Sequence, residues 1–210
     1  MTQKKTSQVT QAQRSAATRA TLLNATIESL IDVGFAATTT RSVANRAGIS
    51  QGALQHHFRS KNDLVDAAIF WLSQKLASDI NAATIGGNND RERIAFVIDR
   101  LWEVHNLRIA PAVFEMYAAA RTDSNLAAAV AKLVKQQNHL LHTVCRQLLP
   151  ELSAMPGFSD QLAIILAMLR GTVILRSIPG VQDGYVDWSV LRNHILSSID
   201  RFIEASGKKA

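Results

Sequence analysis

Residues 39–64 read TTRSVANRAGISQGALQHHFRSKNDL, and this stretch decides the fold of the chain. The threonines at 38–40 offer hydroxyl groups that can cap a short helix, which Gly48 would end. Ser50 can cap a second helix over residues 51–57. Two short helices joined by a turn that contains a glycine are typical of a helix-turn-helix motif.

The sequence on either side of this motif also predicts helices. Apolar residues recur at helical spacing from Arg14 to Val33, and Gly34 is placed to stop that helix. After Lys61, the residues Leu64 and Ala68 begin the apolar face of a longer helix that would link the motif to the rest of the chain. Five further helices are expected at Arg91–Asn106, Ala112–Arg121, Ser124–Leu149, Asp160–Ser177 and Asp187–Ala205.

The predicted protein is all-α, with nine helices. Residues 1–13 are polar and unpatterned, so we expect a disordered arm there. The segment Ile85–Asp90 contains two glycines and two asparagines and is expected to be a loop. Pro150 and Pro156 should break the chain after the 124–149 helix.

The positive charge of the chain lies at one end. Residues 1–61 carry eight Lys and Arg against two Asp and Glu, whereas residues 62–210 carry fifteen of each, so the net charge of +6 belongs to the first part. A basic head on a neutral body is typical of a nucleic-acid-binding protein. A solvated basic tail is the alternative, but only Lys4 and Lys5 lie in an obvious tail.

Composition also limits the cellular setting. Cys145 is the only cysteine, so no intrachain disulfide can form, and the first twenty residues lack the apolar segment of a secretory signal. The longest apolar stretch, residues 162–178, contains Arg170 and Arg176, and we expect it to be too short and too charged to span a bilayer. The sequence therefore predicts a soluble cytoplasmic protein.

Residues 39–64 strongly resemble the DNA-binding domain of the TetR family. The turn, the Gly-x-Leu step, the His-Phe pair and the Ser-Lys-x-x-Leu segment occur in the family's order and spacing, and the match covers most of residues 14–64. The resemblance implies a TetR-like fold with a three-helix DNA-binding domain over 14–61 and an effector-binding and dimerisation domain over 62–210. It also implies a homodimer that binds double-stranded operator DNA and a small-molecule effector.

The second helix of the motif should place its first residues against base edges. Gln51 and Gln55 can bond adenine, Ala53 can contact a thymine methyl group, and Gly52 lets the backbone approach closely. The family pattern adds six DNA-binding residues: Thr39, Thr40, Arg41, His56, His57 and Lys61. Of these, the threonine hydroxyls, His57 and Lys61 would hold phosphates, and Arg41 could reach a phosphate or a guanine. Gln55 replaces the family's usual aromatic residue and should change operator preference, while Ser42 replaces an acidic residue and should weaken the capping box.

The body is expected to hold the effector and the dimer contact. An apolar or aromatic effector would meet Trp102, His105, Phe114, Met116, Tyr117, Arg121, Leu141, Cys145 and Met168; ordinary core is the alternative for each. In resembling proteins the last two helices pack against their symmetry mates, which predicts a dimer interface of Leu162, Ile165, Leu166, Leu169, Val173, Leu191, Ile195, Ile199 and Phe202. Effector entry would swing the linking helix, so the protein would act as a repressor released from a palindromic operator.

Other kinds of function find less support. No nucleophile elbow, phosphate-binding glycine loop or nucleotide fingerprint occurs, so an enzyme is disfavoured, and no cofactor is expected. Adjacent His56 and His57 point about 100° apart on a helix and cannot easily share a metal. His139 and His142 are better spaced, but they flank an apolar stripe, so no metal site is predicted. A nucleoid protein that binds any DNA sequence is the remaining alternative.

Overall fold

The computed structural model describes residues 10–82, 89–181 and 183–207. In these ranges the chain forms ten α-helices and no β-strand, which confirms the predicted all-α class. The helices are α1 Gln11–Ala37, α2 Thr40–Ala47, α3 Gln51–His57, α4 Lys61–Ala82, α5 Asp90–His105, α6 Ala110–Ala119, α7 Ser124–Leu148, α8 Pro150–Ser153, α9 Phe158–Arg176 and α10 Trp188–Ala205.

The first helix begins earlier than the sequence analysis expected. Thr10 accepts a hydrogen bond from the Gln13 N–H, and the Gln13 side chain accepts one from the Thr10 N–H, so this capping box starts α1 at Gln11. The prediction of a disordered arm is therefore wrong for residues 11–13, and residues 1–9 lie outside the described residues. Gly34 interrupts the helical geometry at φ +76° and ψ 179°, after which one further turn runs to Ala37.

The helix-turn-helix forms because each of its ends is satisfied locally. Thr39 caps α2, and Gly48 ends it in the left-handed region at φ +65°, donating its N–H to the carbonyls of Ala44 and Asn45. The Ser50 hydroxyl accepts from the Ala53 N–H and starts α3. Both helices have the positions that their capping residues predict.

Three apolar clusters hold the helices together. The first joins α1, α2, α3 and the beginning of α4, and its buried members include Leu22, Val43, Leu54, Phe58 and Leu64. The second forms the core of the body from α5 and α7 to α10, around Leu101, Leu169 and Ile195.

The third cluster connects the two regions. It brings Leu30 and Phe35 of α1 together with Val65 and Ile69 of α4 and with Met116 of α6. Helix α4 therefore contributes to both the helix-turn-helix core and the connecting core. The predicted boundary between residues 61 and 62 falls in the first turn of this shared helix.

Small differences from the predicted elements have local causes. Pro150 does not simply break the chain, because proline is compatible with a first helical turn, and it starts the short α8 that the nine-helix prediction omitted. Asp90, predicted to be loop, is the first residue of α5 behind the cap Asn89. The rest of that predicted loop, residues 85–88, lies outside the described residues.

Helix α9 is apolar around much of its circumference. In the described part of the chain it is the one helix that is long and apolar enough to cross a membrane by length and composition. The expectation that residues 162–178 are too short and too charged was wrong on those criteria, because the helix begins four residues earlier, at Phe158. One side of α9 packs into the body core through Leu162, Ile165 and Leu169.

Candidate functional site

The outer face of α3 is open to solvent. Gly52, Gln55 and His56 are exposed at helical spacing, while Leu54 on the opposite side is fully buried. A side chain added at Gly52 would meet nothing within 4 Å, so the glycine leaves a free backbone surface there. Predicted contact residue Ala53 is half-buried beside this face.

Gln51 is held at the junction of the two short helices. Its Nε2 donates to the Thr40 hydroxyl over 3.2 Å, and its buried Oε1 has no hydrogen-bond partner in the described residues. An unsatisfied buried oxygen is costly, so a donor that reached it would be stabilised. The side chain is thus oriented by α2, with its Oε1 buried and unpaired among the described residues.

The start of α2 adds a second polar surface beside α3. Thr39 and Arg41 are exposed and Thr40 is half-buried. The capping box between Thr39 and Ser42 is complete: the Ser42 N–H donates to Thr39 Oγ1 over 3.0 Å and the Thr39 N–H donates to Ser42 Oγ over 3.0 Å. The serine hydroxyl thus accepts the Thr39 N–H that an acidic side chain would accept, and whether the box is weaker than with an acidic residue stays a prediction.

Not every predicted phosphate-binding cation is free. Lys61 Nζ donates to the carbonyls of Phe35 and Ala36 over 2.6 and 3.2 Å and lies 4.2 Å from the centre of the Phe35 ring. Burial lowers the pKa of this ammonium, and the nearby Glu115 carboxylate opposes the shift. Lys61 thus stabilises the end of α1 in this state.

Other basic residues of the first domain differ in their availability. Arg46 pairs with Asp32 over 2.8 Å, so its charge is partly neutralised. Arg41 and Arg59 form no hydrogen bond or ion pair with a described residue. His57 is half-buried against Phe58, with ring centres 6.3 Å apart. Arg59, which sequence reasoning passed over, is exposed two residues beyond the end of α3.

Two adjoining cavities lie in the body behind α4. Their volumes are about 130 and 100 Å³. The side chains that line both come from α4, α5, α7 and α9, and they are Ser73, Leu76, Val104, His105, Gln137 and Arg170. Gln137 Nε2 donates to Ser73 Oγ over 3.0 Å, which ties α7 to α4 at the cavity wall.

The structure places four of the nine predicted effector residues at this pair of cavities. Leu141 lines the first, Phe114 and Tyr117 line the second, and His105 lines both. His105 Nδ1 lies 2.8 Å from the Leu101 carbonyl oxygen, which makes this nitrogen the donor. Burial lowers the pKa of His105 and raises that of Tyr117.

The other five predicted effector residues lie elsewhere. Trp102 stacks on Trp188 at 4.5 Å between ring centres, which turns it away from the cavities. Arg121 is exposed beyond the end of α6. The remaining three pack in the apolar clusters and not against these cavities: Met116, Cys145 and Met168.

Burial of Cys145 raises its thiol pKa to about 11, so it is not a reactive thiolate at neutral pH.

Sequence reasoning missed the polar part of the cavity wall. Gln137 interrupts the apolar stripe of α7, and Arg170 interrupts that of α9. A polar residue at an inward position of an amphipathic helix is the signal that could have identified both.

The predicted dimer residues are mostly core of a single chain. Phe202 is half-buried. The other eight are buried within the protomer and are not available to a second copy: Leu162, Ile165, Leu166, Leu169, Val173, Leu191, Ile195 and Ile199. Helical periodicity identified an apolar face, but this face packs inward. The outward face of α9 instead exposes Ile164 and Ile174, which are 53% and 39% exposed.

No group of three or more His, Cys, Asp or Glu in the described ranges is arranged to hold a metal ion. His56 and His57 have ring centres 5.6 Å apart and nearly perpendicular planes.

Comparisons with known proteins agree with this architecture. The family model for bacterial regulatory proteins of the tetR family matches residues 22–68. An uncharacterized HTH-type transcriptional regulator of Mycobacterium tuberculosis is 27% identical over 171 residues, which cover 80% of this chain and 87% of that protein.

Solved structures share the fold over nearly the whole chain. A transcriptional regulator from Rhodococcus sp. Rha1 has a TM-score of 0.62 at 23% identity, covering 89% of this chain and 96% of its own. The regulator FadR from Bacillus subtilis, solved in complex with stearoyl-CoA, has a TM-score of 0.58 at 16% identity, covering 86% and 96%. The tetR-family match over residues 22–68, the similar regulator and the shared fold support a TetR-like transcriptional regulator with an N-terminal DNA-binding domain.

Proposed function

We propose that the protein is a cytoplasmic repressor that binds a two-fold symmetric operator as a homodimer and leaves it when a small molecule occupies the cavities behind α4. One observation carries the proposal. Leu64 and Ala68 of α4 belong to the helix-turn-helix core, while Ser73 and Leu76 of the same helix line the cavities. From Leu64 to Ser73 the distance along a helix is about 14 Å, so one rigid element joins the two sites.

DNA recognition is assigned to α3 and the start of α2. The exposed outer face of α3 would lie in the major groove, where Gln55 and Gln51 can bond base edges and Ala53 can contact a thymine methyl group. Backbone N–H groups in the first turn of α2, together with Arg41 and Arg59, would bind phosphates. His56 and His57 stand beside this surface. Lys61 would contribute to phosphate binding only by leaving the two carbonyls that it contacts.

The dimer is assigned to the outer face of α9. Ile164 and Ile174 are exposed, with the small residues Ala167 and Gly171 between them at intervals of three and four residues, and Ile178 is exposed just beyond the end of the helix. An exposed apolar stripe with small residues at its centre fits close packing against a second helix. Two-fold symmetry would place the two copies of α3 on successive major grooves, which is why the operator should be an inverted repeat.

A second connection joins the cavities to the DNA-binding domain through α6. The Phe35 N–H, at the kink of α1, donates to Glu115 Oε2 over 2.8 Å. Phe114 and Tyr117, which lie on α6 beside Glu115, line the second cavity. A ligand that displaced α6 would therefore pull on α1 as well as on α4. It can release DNA only if it binds the two arrangements of the helices with different affinities.

Selection of duplexes from a random library by the purified protein tests the DNA-binding part of the proposal. We expect enrichment of an imperfect inverted repeat, and an affinity that falls steeply as salt is raised, because phosphate contacts release counterions. Retention of random duplexes with no common sequence would contradict the proposal and favour a nucleoid protein. Light scattering on the same sample tests the dimer, and a monomer at micromolar concentration would contradict that part.

A further inference from the structure

Arg170 is a half-buried cation of the body that faces the cavities without a partner in the described part of the chain. It lies on α9 and contributes to the walls of both cavities behind α4 and of a third pocket between α7 and α9. It forms no hydrogen bond or ion pair with any described residue. All seventeen Asp and Glu residues fall within the described ranges, and none of them is its partner there.

Several other cations of the body are paired with carboxylates. Arg192 binds Asp99 through two hydrogen bonds of 2.6 and 2.9 Å. Arg91 pairs with Asp200 over 3.0 Å, and Arg100 pairs with Glu103. The Arg192–Asp99 pair is part-buried, as Arg170 is, and it has its carboxylate. Arg170, by contrast, faces the cavities with no carboxylate partner among the described residues.

The surroundings of Arg170 do not compensate its charge. None of the side chains that line the three pockets is a carboxylate. His105 donates its Nδ1 proton to a backbone carbonyl and is largely neutral at pH 7, since burial and the charge of Arg170 both favour the uncharged ring. The Tyr117 hydroxyl faces the same charge and keeps its proton. The polar end of the cavity thus offers a cation and a hydroxyl donor.

We propose that the cavities bind a small monocarboxylate with an apolar body, whose carboxylate pairs with Arg170 while its carbon skeleton contacts Leu76, Val104 and Leu141. The proposal rests on the assignment of these cavities as the effector site. A planar guanidinium matches a carboxylate with two parallel hydrogen bonds. The larger volume of about 130 Å³ is close to that of engineered cavities that hold one benzene ring. Benzoate and hexanoate are suitable probes.

Calorimetric titration of the full-length protein tests the proposal without any need to know the operator. We expect benzoate or hexanoate to bind, and the neutral amides of the same shape, benzamide and hexanamide, to bind about tenfold to a hundredfold more weakly, because they lack the charge-assisted hydrogen bonds. If neither carboxylate binds, or if the amides bind equally well, the proposal is overturned.

Variants locate the binding to Arg170. Arg170→Gln should reduce carboxylate affinity about tenfold to a hundredfold. Arg201→Gln removes the same charge from the exposed surface of α10 and should leave affinity unchanged, as a matched control. Arg170→Lys keeps the charge without the planar fork and should bind with intermediate affinity. Equal losses in the Arg170→Gln and Arg201→Gln variants would show that only net charge matters and would overturn the assignment.

Two readouts separate a binding role from a structural one. The unliganded Arg170→Gln variant should unfold at the same temperature as the native protein or at a higher one, since it removes an unpaired charge from a half-buried site. Marked destabilisation of that variant would contradict the unpaired state of the guanidinium. DNA release by benzamide but not by benzoate would overturn this inference and leave the repressor proposal intact. Carboxylate binding without DNA release would overturn the repressor proposal and leave this inference intact.

Discussion

Gly34 offers a sensitive test of how the DNA-binding domain is joined to the body. Its backbone lies at φ +76° and ψ 179°, a region that is almost exclusive to glycine. A Cβ atom at this position would lie 2.7 Å from Glu115 Oε2, the oxygen that accepts the Phe35 N–H. Gly34→Ala would therefore strain the backbone and also push the Glu115 carboxylate away from its donor.

The expected cost of Gly34→Ala follows from these two effects. Backbone strain of this kind costs about 1–3 kcal/mol. A hydrogen bond to a charged acceptor contributes about 1.5–3 kcal/mol. The smaller conformational entropy of alanine in the unfolded chain offsets about 0.4–1 kcal/mol. We therefore expect the free energy of unfolding to fall by about 2–5 kcal/mol.

Urea unfolding followed by circular dichroism at fixed protein concentration measures this change. Gly52→Ala is the matched control, because Gly52 is helical and a Cβ there meets nothing within 4 Å. It should stabilise the fold by about 0.5–1 kcal/mol. In a Glu115→Ala background, Gly34→Ala should cost only the backbone strain. A neutral Gly34→Ala variant, or full additivity with Glu115→Ala, would refute the reasoning.

Four further predictions concern single residues. Lys61→Met should lower the free energy of unfolding by about 1–3 kcal/mol, because the Phe35 and Ala36 carbonyls lose their donor; no loss in urea unfolding would contradict the contact. Ile164→Glu should convert the dimer into monomers on size exclusion, because the interface would bury an unpaired charge, whereas Ser197→Glu on the exposed side of α10 should not. A persistent Ile164→Glu dimer would refute the assigned interface. Because the pKa of His105 is lowered in the folded state, the unfolded state binds more protons as pH falls below about 6.5. The free energy of unfolding should therefore decline below that pH, and it should decline less in the His105→Gln variant. Identical pH profiles of the two proteins would count against the burial of His105. Cys145 should react with a thiol reagent only under unfolding conditions, and rapid labelling of the native protein would be inconsistent with its position.

The helix-turn-helix could be predicted from sequence because its signals are local. Thr39, Gly48 and Ser50 each satisfy backbone groups within four residues, so their effect does not depend on the rest of the chain. This locality explains why the boundaries of α2 and α3 were right. The capping box of Thr10 and Gln13 is equally local, but it lies within the supposed arm and was overlooked.

The cavity and the dimer face could not be predicted in the same way, because they depend on tertiary packing. Trp102 looked like a pocket aromatic but stacks on Trp188, nearly ninety residues away in sequence. Both faces of α9 are apolar, so periodicity could not decide which one packs inward; Leu169 is fully buried whereas Ile164 is exposed. Arg170 was read as an argument against a membrane span, and its place in the cavity wall emerges only once α4, α5 and α7 surround it.

The most direct test of the central claim compares the affinity of the protein for its selected operator with its affinity for a scrambled duplex of the same length. The exposed face of α3 should set this ratio. In the Gln51→Ala/Gln55→Ala double variant we expect it to fall at least about tenfold, since a base contact contributes about 1–3 kcal/mol. Arg59→Ala should weaken both duplexes equally. An unchanged ratio in the double variant would show that α3 does not read the operator.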